Sequence, residues 1–171
     1  MRKLVATAVF SLFFALFAAM SVYAADIRVM IDHGLAGSRQ VEFADQQPVV
    51  INGRTLVPVR GLFEALGYEV GWYPGEGQDG RDVVVLSYRG GGPGYPFREY
   101  IQITLGYPSI ISQTTMMDQA FDNYVFTSVF PQTINGRVML PVRYILDASM
   151  FFDFEWNEAE RIIEIWSTIA G

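Results

Sequence analysis

The chain has no cysteine, one histidine (His33) and one lysine (Lys3) among 171 residues. Without cysteine there is no disulfide, thiol nucleophile, thiolate metal site or lipidated N-terminal cysteine. Catalytic zinc generally takes three protein ligands and copper favours imidazoles, so a single histidine makes either metal a poor fit. Only one apolar run, residues 4–20, has a length near that of a membrane span. It follows Arg2 and Lys3 and precedes the small-residue exit Val22-Tyr23-Ala24. These features predict a secretory signal peptide over residues 1–24, cleaved after Ala24, and hence a secreted or extracytoplasmic product at the cell envelope. The part beyond it holds 10 arginines against 18 acidic residues, a formal charge of −8. Such a balance excludes a basic footprint for nucleic acid and disfavours anionic lipid. An exported domain without disulfides depends on its apolar core.

What the chain does contain is a repeat. Residues 48–66 align with residues 131–149 at an offset of 83, with nine identities in 19 positions. The identities include the whole of Ile-Asn-Gly-Arg (Ile51, Asn52, Gly53, Arg54 against Ile134, Asn135, Gly136, Arg137) and Pro-Val-Arg (Pro58, Val59, Arg60 against Pro141, Val142, Arg143). One inserted residue later, Tyr68, Val70 and Trp72 match Phe152, Phe154 and Trp156. Asn-Gly between apolar runs is a strong hairpin signal, because both turn positions need positive φ. It predicts pairing of residues 49–51 with 55–57, and of 133–134 with 138–140. Pro58 and Pro141 then stop the strand and open a helix. Apolar positions at helical spacing follow: Val59, Leu62, Phe63 and Leu66, then Val142, Ile145 and Leu146 with Ser149. Gly67 is a helix stop in the first copy, and Met150 stands there in the second.

Alternation then predicts a half-buried strand ending in tryptophan in each copy, with Trp72 and Trp156 buried in related positions. Closing strands are expected at 83–87 and 162–166. Strands at 27–31 and 41–43 should precede the first hairpin, and strands at 101–105 and within 116–126 the second. The prediction is α+β: twisted antiparallel sheets on short helices, in two pseudo-symmetric β-hairpin–helix–β-hairpin units. The units span 25–88 and 101–171, and the Gly/Pro-rich segment 89–100 joins them within one compact domain. No Gly-Lys-Ser/Thr follows the join's glycines, so it is not a phosphate loop.

The stretch "PVVINGRTLVPVRGLFEALGYEVGW" resembles the copper amine oxidase N-terminal domain family, the stalk-like module of exported bacterial proteins. Residues 51–72 carry the pattern closely, and residues 134–156 more loosely, with Val138-Met139 in place of Thr-Leu. The resemblance implies a twisted antiparallel sheet against helix. It implies no oxidase activity, because in those enzymes catalysis lies in a separate large domain that uses a tyrosine-derived quinone and copper on three histidines. Asn52, Gly53, Pro58, Arg60, Trp72, Asn135, Gly136, Pro141, Arg143 and Trp156 are then residues of a folding motif, with no catalytic, metal or cofactor role.

Several chemistries remain to be weighed. Arg60 and Arg143 each precede an acid by four residues (Glu64, Asp147), which favours i,i+4 pairing over ligand capture. His33 beside Asp32 is read as a loop pair. The turns "GEGQDGRD" and "NEAER" lack the spaced ligands of a calcium loop. No Gly-x-Ser-x-Gly is present, and nothing selects two of the 18 acids for hydrolysis. Tyr88, Tyr95, Phe97, Tyr100 and Tyr107 cluster around the join. If exposed, Tyr88, Tyr95 and Phe97 form a candidate surface for a cell-wall glycan or an envelope protein. The main expectation is a non-catalytic scaffold or binding module. Its rivals are a glycan- or peptidoglycan-binding module using those aromatics and a carboxylate-based hydrolase.

Overall fold

The computed structural model describes residues 26–91 and 96–169. The expected signal peptide lies outside these residues. No described helix is long and apolar enough to cross a membrane.

Thirteen strands and two short α-helices are described. The strands are β1 (Arg28–Asp32), β2 (Ser38–Gln40), β3 (Val49–Ile51), β4 (Arg54–Pro58), β5 (Glu69–Tyr73), β6 (Val83–Gly90), β7 (Phe97–Thr104), β8 (Ser109–Met116), β9 (Gln119–Phe126), β10 (Gln132–Ile134), β11 (Arg137–Pro141), β12 (Phe152–Asn157) and β13 (Ile162–Ser167). The helices are α1 (Val59–Ala65) and α2 (Val142–Leu146). Strand dominates, and the class is α+β. Both Asn-Gly turns form as their chemistry requires, with φ of 51° and 72° at Asn52 and Gly53, and 49° and 75° at Asn135 and Gly136. Pro58 and Pro141 end their strands and cap the helices that follow. Gly67, at φ 91°, ends α1 by donating its N–H to the Glu64 carbonyl.

Three sheets result, ordered β12-β13-β1-β2, β10-β11-β4-β3 and β5-β6-β7-β8-β9. The middle sheet joins the two hairpins through β4 and β11, which pair antiparallel with Val57 opposite Leu140. Leu56 faces Pro141 and Pro58 faces Met139, so positions related by the 83-residue offset exchange places about that central pair. Helix α1 packs on β11 of the other hairpin and on β5, and α2 packs on β4, β11 and β12. One apolar core runs through all of this, including Val29, Val57, Leu62, Phe63, Leu86, Ile101, Leu140, Ile145 and Ile165.

Four expectations need correction. The sheets are not wholly antiparallel, because β1 runs parallel to β13. The segment 41–43 is not a strand: the strand before it is β2, and beyond it Val41 still donates its N–H to the Val29 carbonyl at 2.8 Å. Its alternating buried Val41 and Phe43 imitate a strand while packing on the core. Strand β8 went unforeseen: "SIISQTTM" holds polar residues on both parities, and its inner face includes buried Ser112 and Thr114. Much of the expected join at 89–100 is strand: β6 and β7 pair as far as Gly90 opposite Phe97. Glycine at 90 is required because the Phe97 ring lies where its Cβ would stand.

Candidate functional site

The aromatic surface expected at the join is not present at Tyr88 and Phe97. Both lie on the inner face of the five-stranded sheet, where strand alternation directs them to the core. Phe97 is buried against Phe151, with ring centroids 4.2 Å apart. Tyr88 is half-buried between Phe97, Phe151 and Phe152 on one side and Tyr68, 4.9 Å away, on the other. Tyr95 lies outside the described residues. Tyr100, on the opposite parity, is exposed.

The same inner face holds a residue that the sequence reading missed. Glu99 is fully buried. Its Oε1 accepts from Thr114 Oγ1 at 3.1 Å and from the Met150 backbone N–H at 2.7 Å. Its Oε2 accepts from Ser149 Oγ at 2.9 Å and from the Tyr68 hydroxyl. Burial, then the neighbouring carboxylate, holds the Tyr68 hydroxyl well above the ordinary tyrosine range, so it remains a donor. The signal was in the sequence: in "FREYIQI" Glu99 shares its parity with Phe97, Ile101 and Ile103. With both oxygens occupied and no solvent access, Glu99 acts as a clamp between the five-stranded sheet and the turn after α2.

The open cavity lies elsewhere. A groove of about 780 Å³ runs between the segment 39–46, α1 and the edge strand β5, and the β10–β11 turn closes one end. Its wall carries Trp72, with 40% of its surface exposed, beside Val70 and Val84. Arg39, Arg60 and Arg137 line it, with Glu42, Asp45 and Glu64 interspersed. Asp45 receives an ion pair from Arg137. Arg60 meets Glu64 at 3.8 Å while both side chains remain more than half exposed, so the pair stiffens α1 little and leaves the guanidinium free to turn into the groove. Gly61 forms part of the floor; a Cβ there would lie 2.9 Å from Phe43 Cδ1. The arrangement offers one aromatic plane with flexible charged donors and acceptors around it. It suits a polar ligand with an apolar face, and its volume falls in the usual range for ligand pockets, about 300–1,000 Å³.

Residues 36–79 match the copper amine oxidase N-terminal domain family. The matched segment carries nearly all of the groove, whose remaining lining is Val84 and residues 136–138. The copper amine oxidase N-terminal domain is non-catalytic. No curated protein and no solved structure matches the chain.

Beyond the matched segment, the second half builds the corresponding place differently. Tyr144 stands at the position of Gly61, and its hydroxyl lies 2.7 Å from Ser128 Oγ. That bond holds the Tyr144 hydroxyl below its ordinary range. Ser128 also accepts from Arg54 at 3.0 Å. Offset by 83, Arg54 and Ser128 are the counterparts of Arg137 and Asp45, so each hairpin's arginine reaches the loop before the other hairpin. Arg143 closes no ion pair with Asp147, contrary to its spacing; its guanidinium lies 5.8 Å over the Phe154 ring. Phe154 replaces Val70 of the first half. The tryptophans are not buried: Trp72 and Trp156 retain 40% and 37% exposure, because both sit on edge strands with one ladder neighbour each.

The remaining sequence candidates make local contacts. His33 is exposed, and Asp32 Oδ1 accepts the Gly34 N–H at 2.8 Å. In the acidic turns, Asp82 accepts from Gly75 N–H and Asn157 from Glu160 N–H. Among the described residues no cluster of His, Asp and Glu could hold a metal.

Proposed function

We propose that this chain is an exported, non-catalytic binding module that holds a glycan in the groove between α1 and β5. The single observation that carries this reading is Trp72, 40% exposed on the wall of a groove that sets Arg39, Arg60, Arg137, Glu42, Asp45 and Gln46 among apolar residues. A sugar ring presents an apolar face to an indole and hydroxyls to such groups. Arginine also accommodates carboxylated sugars in bidentate fashion. Cell-wall polymer is the ligand class that accords with the signal-peptide features of residues 1–24 and with an acidic body that repels nucleic acid.

The architecture behind this site is proposed to be two copies of one unit, residues 25–88 and 101–171, merged into a single domain. The exchanged pairings at Val57–Leu140 and the matching arginine contacts support that reading. The test is retention on insoluble peptidoglycan and polysaccharides. The wild-type chain is expected in the bound fraction, with Trp72→Ala in the supernatant at unchanged stability. Equal retention of both, or retention of neither, removes the groove as a glycan site. In the second case a plain scaffold remains.

A further inference from the structure

We propose that a second copy of this chain pairs with the free edge of β9, joining two five-stranded sheets into one. This surface is separate from the groove, and the inference does not depend on the glycan reading. Among the outer strands of the three sheets, β9 is the longest at eight residues. Its sequence "QAFDNYVF" has no proline or basic residue and a single acid, Asp122. Native proteins blunt free edges with charge, proline or bulges, and an unguarded apolar edge invites another strand. Tyr124 and Phe126 are 58% and 77% exposed on the outer face, and Phe121 is exposed on the other.

Backbone geometry selects which groups are offered. The Thr127 N–H donates to the Pro108 carbonyl at 2.8 Å, in register with the β8–β9 ladder. Residues 121, 123 and 125 therefore turn their N–H and C=O toward β8. Ala120, Asp122, Tyr124 and Phe126 turn theirs toward solvent. A partner related by a two-fold axis keeps each side chain on its own face, so registers shift only in steps of two.

One register satisfies the edge best. It sets Asn123 opposite its own counterpart, Asp122 opposite Tyr124, Phe121 opposite Val125 and Ala120 opposite Phe126. Each large ring then faces a smaller residue, the lone acid faces a phenol, and all four outward-facing residues gain ladder bonds. One register away, Asp122 meets Asp122, and like charges directly opposite are destabilising. The other way, the ladder shortens. The self-complementarity of this row argues for a second copy over an unrelated strand.

The test uses the absence of cysteine. Asn123 pairs with itself as a non-hydrogen-bonded pair, with Cα atoms about 4.5 Å apart, within the about 4.4–6.8 Å that a disulfide spans. Asn123→Cys is expected to form a disulfide-linked dimer under mild oxidation, with Asp122→Cys and Tyr124→Cys remaining largely monomeric. In sedimentation equilibrium the wild-type chain should associate reversibly. Tyr124→Pro, which removes an N–H that faces solvent and none that bonds β8, should weaken association at least tenfold while circular dichroism stays unchanged and Tyr124→Ala associates more strongly than Tyr124→Pro. A wild-type chain that stays monomeric across the accessible concentration range overturns the proposal. So does cross-linking that is equal at all three positions, or association that Tyr124→Pro leaves intact.

Discussion

The two halves differ most at one aligned position, Gly61 against Tyr144. In the first half the missing side chain lets Phe43 lie over α1, buried, with the groove open beside it. In the second half a phenol ring stands on α2. Phe126, which holds the place of Phe43 at the same offset, is 77% exposed. The change carries upstream, since Val41 is buried and its counterpart Tyr124 is exposed. The residue on the helix and the packing of the preceding segment thus differ together between the halves. The lesson is that similar hairpin–helix sequences can border a groove in one half and an exposed strand edge in the other.

The comparison breaks hardest where the halves are clamped together. Glu99→Ala leaves the donors of Tyr68, Thr114, Ser149 and Met150 without their acceptor. A loss of about 3 kcal/mol or more is expected in urea unfolding. Glu99→Gln, which keeps the shape, should lose less.

Next comes an exchange of the distinguishing residue. Gly61→Tyr makes the first half resemble the second. It should expel Phe43, cost about 2–3 kcal/mol in the same measurement, and abolish retention on glycan. The reverse change, Tyr144→Gly, loses the contact with Ser128 and adds a helix glycine, for about 1–2 kcal/mol.

A pH effect sharpens the account of the clamp. The folded state holds the Tyr68 hydroxyl protonated above its unfolded value, which lies near 10. Its stabilising contribution is therefore full below about pH 10 and is lost as pH rises beyond it, because the unfolded chain releases that proton first. Thermal unfolding followed from pH 8 to 11 should show a falling midpoint, and Tyr68→Phe should flatten that fall from a lower starting value.

The smallest effect is expected at Arg60. Its exposed pair with Glu64 makes Arg60→Met neutral within about 0.5 kcal/mol in stability. Weakened glycan retention in that variant would assign the arginine to the groove. A large drop in midpoint would return it to a structural role.

Much of the fold was legible because local chemistry and tertiary context agree. Asn52-Gly53 and Asn135-Gly136 leave the backbone little choice, and Pro58 and Pro141 end their strands with the helices directly after them. Strand β8 was illegible because its inner face buries hydroxyls: Ser112 and Thr114 beside Ile110 read as polar on both sides. Trp72 and Trp156 were misjudged because alternation tells which face a residue takes but not that its strand lies at an edge. The groove was illegible for a similar reason. Its arginines come from three separate segments, and only the middle sheet brings Arg137 to Arg39 and Arg60. Phe97 and Tyr88 were legible as aromatic but not as buried, because their cover, Phe151 and Phe152, comes from the other half.

The most direct measurement follows the indole N–H signals of the three tryptophans by ¹H–¹⁵N correlation spectroscopy during titration with soluble peptidoglycan fragments. Trp72→Phe and Trp156→Phe assign the signals. A saturable shift of the Trp72 indole, with Trp156 unmoved, is the expected result. A shift confined to Trp156, or no shift in any indole at saturating fragment, contradicts a binding groove in the first half.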